Sequence, residues 1–167
     1  FRRFKSYHLF KKIKKQNFFD RDYYITRVNQ LKIKLKRLNE DLNIYDFNNK
    51  DLYEGTIFRP ASLNGQALNV SSISKPSDGI LVTGLPNNTD YSDLAMMKMI
   101  KDFQDWKKVR MIGSAAMASA YVASGKADVY KEFGTYLWDV AAGAAIVNAA
   151  GGKAEIANFR NNFQVDV

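Results

Sequence analysis

Two carboxylates, Glu132 and Asp139, stand close together in "YKEFGTYLWDVAAGAAIVNAAGG", residues 130–152, and a run of tiny apolar residues without reactive side chains follows them. The rest of the chain narrows the chemistry open to these acids. It contains no cysteine, and its one histidine is His8. A thiolate nucleophile, a Cys-ligated zinc and a paired-His metal site are therefore excluded, and a Ser-His-Asp triad has little to build on. Catalysis would have to draw on carboxylates, hydroxyls, backbone groups and cations.

Asp139 sits where the N-cap of the small-residue helix is expected, so that its carboxylate would accept backbone N–H bonds and face the positive end of the helix dipole. Ala141, Ala142, Gly143, Ala144 and Ala145 behind it would let that helix pack closely on a sheet. Gly113-Ser114-Ala115 reads as a second helix start after a strand, where free N–H groups can bind anions or sugar hydroxyls and Ser114 adds a donor and an acceptor. Glu132 falls at a strand end, placed either to accept hydrogen bonds from ligand hydroxyls or to stand as a solvated charge. Taken singly, each of these has an ordinary structural role as well.

The elements that must position them follow from local pattern. "IYDFNNKDLYEGT" reads as two short strands around an Asn-Asn turn, and "LNGQALNVS" as an Asn-Gly hairpin leading into a strand. "DGILVTGLP" is a buried strand, and a helix follows over about 91–105, with Leu94, Met97, Ile100 and Phe103 at three-residue spacing. "KKVRMIG" is the next strand, Ser114 opens a helix that Gly125 closes, "ADVYKEF" is a further strand, and Gly151-Gly152 end the helix begun at Asp139. Strand and helix alternate from residue 80 onward, which predicts an α/β sandwich.

The net charge of +8 is unevenly spread. Residues 1–43 carry 13 Lys plus Arg against 4 Asp plus Glu, whereas residues 44–167 carry 12 against 13. The first segment interleaves its cations with Phe, Tyr, Leu and Ile, and is expected to be a basic helical arm. It could neutralise phosphates and stack on bases of a nucleic acid, act as a targeting segment, or form a solvated helix. The expected location is cytoplasmic, with the mitochondrion as the alternative such a segment would give. No apolar run reaches the length of a membrane span, so no membrane partner is expected. The chain begins at Phe1 and stops at "FQVDV", which reads as the middle of a strand; both are expected of a processed or incomplete chain.

Read as one unit, "VRMIGSAAMASAYVASGKADVYKEFGTYLWDVAAGAAIVNAAGG" closely resembles the C-terminal signature of the inositol monophosphatase family, the magnesium-dependent, lithium-sensitive phosphatases. Trp138-Asp139, the small residues, the branched apolar run and Gly151-Gly152 carry the pattern. Upstream, "IYDFNNKDLYEGT" and "LNGQALNVSS" resemble the family's strand pair and hairpin, so that the likeness covers about residues 44–167. The resemblance implies the C-terminal α/β subdomain of a layered sandwich. It further implies that Asp139 binds Mg2+, that Gly113, Ser114 and Ala115 contact the substrate's ring hydroxyls, and that Glu132 hydrogen-bonds one of them. The substrate would be a small phosphorylated polyol or nucleotide, and the partner a second copy or a complementary chain.

Some family features are missing. Magnesium is held by several oxygen ligands, and paired-metal hydrolysis needs ions close together, which one aspartate cannot arrange. The family's other ligands come from an upstream acid and an Asp-Pro-(Ile/Leu)-Asp-Gly-Thr motif; no Asp-x-x-Asp-Gly occurs here, and residues 1–43 resemble no part of the family's N-terminal half. Phe47 replaces a usual proline, "FRPA" at residues 58–61 replaces a Gly-x-Gly-Ala turn, and Ala149-Ala150 replaces a Glu-Ala pair. The expected function is thus that of a metal-dependent phosphomonoesterase lacking part of its active site. The alternative is a non-catalytic binding or structural subunit that uses the basic arm, for instance on RNA.

Overall fold

The computed structural model describes residues 42–56, 58–86 and 89–167. The expected helical arm therefore lies outside the described residues except for Leu42 and Asn43, which belong to the first strand.

Strands β1 (Leu42–Asp46) and β2 (Asp51–Thr56) pair antiparallel from Leu42↔Gly55 to Asp46↔Asp51, around the expected Asn-Asn turn. Asp46 builds that turn: its Oδ1 accepts the Asn48 N–H at 2.9 Å, and its Oδ2 accepts from Asn49 Nδ2 at 2.8 Å. "FRPA" does not form a glycine turn. The Thr56 Oγ1 accepts the N–H groups of Phe58 at 2.9 Å and Arg59 at 3.0 Å, and the chain returns as β3 (Arg59–Leu63). Asn64 and Gly65, both at positive φ, turn it into β4, which is only Gln66–Ala67. These strands form one sheet in the order β1-β2-β3-β4.

A second sheet is parallel, with β5 (Ile80–Thr83) between β6 (Lys108–Met111) and β7 (Val129–Tyr130). Helix α1 (Asp93–Gln104) connects β5 to β6, and α2 (Ala115–Ala123) connects β6 to β7. The α1 row expected from sequence is not one buried face: Leu94 is 84% exposed, Met97 and Ile100 are exposed, and Phe103 is half-buried. Geometry explains this, because a three-residue spacing drifts about 60° per step around a helix of 3.6 residues per turn. Leu94 and Phe103 thus end on opposite sides.

The expected single strand "ADVYKEF" is split. After β7 the chain leaves the parallel sheet and resumes as β8 (Phe133–Tyr136), which pairs antiparallel with β9 (Gln164–Asp166). The exchange of partners occurs at two residues. Lys131 N–H still bonds to Val82 O at 3.0 Å, and the Lys131 carbonyl accepts the Thr83 hydroxyl at 2.7 Å. One residue on, Glu132 N–H and C=O both pair with Val167, each at 3.0 Å. The terminal "FQVDV" therefore does contain a strand.

Helix α3 (Leu137–Ala149) lies on α2 and on the first sheet, and the core gathers where they meet: Ile44, Tyr53, Ala61, Val82, Ala120, Ala123 and Ile146. Small residues permit the closeness, and within the run 141–145 Gly143 faces Ser119 of α2 rather than the sheet. A Cβ on Gly55 of β2 would stand 3.1 Å from the Ile146 Cα and 3.1 Å from the Ala149 Cβ, so only a bare backbone fits without adjustment.

Candidate functional site

Three strands of a parallel sheet end on one edge, and Gly113, Ser114 and Glu132, singled out in the sequence, lie there. Gly84 follows β5, Gly113 and Ser114 follow β6, and Glu132 follows β7. β5 is the centre of the order β6-β5-β7, so successive connections run to opposite sides of it. Ligands of open α/β sheets bind outside the carboxyl ends of strands at such a switch of direction.

Ser114 is the N-cap of α2, as expected, with its side chain accepting Met117 N–H at 3.3 Å. Gly113 at φ +75° makes the turn from strand to helix, in a conformation that a side chain would strain. Nothing lies within 4 Å of where its Cβ would be, so this backbone faces open space. Ala115 is the first residue of α2.

Glu132 is held more firmly than a solvated strand-end charge. Its backbone is paired on both sides with Val167, and its Oε2 accepts the Tyr130 hydroxyl at 2.9 Å. Burial raises the Glu132 carboxyl above its ordinary range, the Tyr130 hydrogen bond opposes that rise, and the Asp139 charge adds to it. Burial first, and the neighbouring Glu132 charge second, push the Tyr130 phenol well above its ordinary value, so Tyr130 is the donor of this pair.

Asp139 is not the N-cap. α3 begins at Leu137 with Tyr136 at the cap position, and no side chain closes that end. Asp139 instead occupies the first turn, where the helix dipole still favours an anion. The β8 strand runs directly into the helix, leaving no loop residue to cap it. Among the described residues the Asp139 carboxylate accepts no hydrogen bond, and burial raises its carboxyl above the ordinary range. The fold brings Asp139 and Glu132 within electrostatic reach of one another. Trp138 beside it is half exposed and stacks on Tyr136, ring centres 4.7 Å apart.

The donor set does not fit a complete metal site. Among the described residues no group of three or more His, Cys, Asp or Glu side chains could hold a metal ion, and no buried side-chain N or O is left without a partner. Asp139 offers a single carboxylate, and one oxygen of Glu132 is already engaged.

Against known proteins, the model of the inositol monophosphatase family matches residues 43–160. The chain belongs to that family. Human inositol monophosphatase 2 is 36% identical over 112 residues, covering 65% of this chain and 39% of that protein. Nus factor SuhB of Salmonella typhimurium is 35% identical over 121 residues, covering 72% of this chain and 45% of that protein. Among solved structures, Mycobacterium tuberculosis SuhB superposes with a TM-score of 0.66 at 26% identity, over 74% of this chain and 51% of that one. The inositol monophosphatase of Anabaena gives 0.62 at 28% identity, over 74% and 51%. The α/β architecture is therefore that of this family, and the chain spans less than half the length of the curated relatives it matches.

Sequence reading missed Tyr130 and Gly84. The signal for Tyr130 was present, since residues two apart in an extended segment point to the same side. Gly84 carried none, because what it makes room for comes from another strand.

Proposed function

We propose that this chain forms the substrate-facing wall of a phosphomonoesterase site, acting on the phosphate of a small cyclic polyol or a related sugar or nucleotide. The supporting observation is the shared sheet edge: Gly113 and Ser114 follow β6 and Glu132 follows β7, on either side of β5 at the carboxyl ends of the parallel sheet, with Asp139 in electrostatic reach of Glu132. In this reading the backbone at Gly113 and Ala115 and the Ser114 hydroxyl orient the ring hydroxyls. Glu132 accepts a hydrogen bond from one of them, and Asp139 turns its carboxylate toward magnesium. Magnesium, when bound, would supply charge stabilisation and an activated water. Its remaining ligands come from residues other than those described.

The 167-residue chain by itself is therefore expected to release no phosphate from inositol monophosphate in the presence of magnesium beyond the uncatalysed rate. A phosphate-release assay checks this. Magnesium-dependent turnover at the rate of a full-length family member would show that the described residues, with the arm, already suffice.

A further inference from the structure

The Glu132 backbone is fixed by Val167 on one side and, through Lys131, by the Thr83 hydroxyl on the other. Only its side-chain torsions remain free, and two neighbours limit them. The Tyr130 hydroxyl holds Oε2 at 2.9 Å. Just past the end of the adjacent β5, the carboxylate lies across the bare Cα of Gly84: a Cβ there would stand 2.8 Å from Glu132 Cδ, and closer still to Oε2. Oε1 accepts no hydrogen bond among the described residues. One oxygen is anchored and the other is left over.

We propose that Tyr130 and Gly84 are positioning residues, a phenol clasp and a glycine seat that together present Glu132 Oε1 to a ligand hydroxyl. The proposal rests on the reading of Glu132 as a hydroxyl acceptor. Removing the phenol oxygen frees the carboxylate to rotate. Adding a methyl group at position 84 pushes it off its seat, and does so cheaply, because Gly84 is not at positive φ and the obstructing atoms end a flexible side chain. Gly84→Ala should therefore weaken ligand binding without weakening the fold, and Tyr130→Phe should weaken binding beyond any cost to the fold, since its phenol also meets the buried Thr135 side chain. A phenol that merely satisfied its own buried oxygen would give the opposite pattern.

The test titrates the full chain with myo-inositol and reads affinity from the amide resonances of Gly113, Ser114, Ala115 and Glu132, alongside urea midpoints. Losing one charge-assisted hydrogen bond, Tyr130→Phe is expected to bind about five-fold more weakly, and Gly84→Ala by at least as much. Gly84→Ala should keep its urea midpoint close to the parent, and the binding loss of Tyr130→Phe should exceed any fall in its midpoint. In a Glu132→Ala background, Tyr130→Phe should cause no further loss. Parent-like binding by either variant overturns that residue's role while leaving Glu132 in place, provided Glu132→Ala itself weakens binding. Loss of binding that merely tracks a fallen urea midpoint also overturns the positioning role. If Glu132→Ala binds like the parent, or the parent does not bind, the reading of Glu132 fails and the proposal falls with it.

Discussion

Valine at position 143 is expected to destabilise the fold by about 3 kcal/mol, at the upper end of what overpacking costs. Gly143 sits in α3 where it crosses α2, and a Cβ there would overlap both the Cβ and the Oγ of Ser119. Ser119 cannot turn away. It is 3% exposed, its hydroxyl donates to the Ala115 carbonyl at 3.0 Å, and its Cβ is fixed by the helix backbone. Relief would require α2 and α3 to separate, opening the core around Ala120, Ala123 and Ile146. Even alanine at 143 should cost about 2 kcal/mol for the same reason. The companion changes make the argument specific. Ser119→Ala should not rescue Gly143→Ala, because the overlapping Cβ remains. Ser119→Gly should recover part of the loss, despite costing about 0.5 kcal/mol of helix propensity by itself. Urea unfolding of the four combinations measures the coupling.

Asp166→Ala should cost a comparable amount, about 3 kcal/mol, by removing the acceptor at the centre of a polar cluster. Asp166 is 8% exposed in β9. Its Oδ1 accepts from the buried Gly134 N–H at 2.8 Å and from Arg160 Nη1 at 2.9 Å, and its Oδ2 from Asn158 Nδ2 at 2.7 Å and Arg160 Nη2 at 3.2 Å. The Arg160 side chain is 44% exposed and can return to water, so most of the loss comes from the stranded Gly134 N–H and the other broken bonds. Asp166→Asn, which keeps two acceptor lone pairs for Gly134, should cost less.

The same carboxylate sets a pH dependence. Burial alone would raise the Asp166 carboxyl, but the hydrogen bonds from Arg160, Asn158 and Gly134, with the Arg160 charge, outweigh it and hold it below the ordinary range. A folded-state pKa below the unfolded one contributes stability that is full above the unfolded value, about 3.9, and is lost as pH falls through the folded value. The stability difference between the parent and Asp166→Ala should therefore be constant near neutrality and shrink below about pH 4. Urea midpoints across that range measure it.

What the sequence revealed and what it hid follow from the range of the interactions concerned. Turns and caps are local, so the Asn64-Gly65 hairpin, the Ser114 cap and the Gly125 stop were legible from a few neighbouring residues. The family motif was legible because Trp138-Asp139 through Gly151-Gly152 is long and contiguous. The division of "ADVYKEF" was hidden, because it depends on Val167 lying beside Glu132, a pairing between distant segments. Asp139, the expected cap, lies three positions past the observed one, Tyr136, for a related reason. An acid before small residues looks like a cap, but β8 feeds the helix without a loop, and the helix starts at Leu137. Asp166 gave no signal in sequence, since its partners at 134, 158 and 160 meet only after β8 and β9 pair.

The claim that the carboxyl edge of the parallel sheet is a ligand wall is tested most directly by mapping inositol monophosphate on the labelled chain without and then with magnesium. Amide shifts concentrated at Gly113, Ser114, Ala115 and Glu132, extending to Asp139 only when magnesium is added, are the expected result. Shifts confined to the β1–β4 sheet, or an unchanged spectrum at saturating ligand, would contradict it.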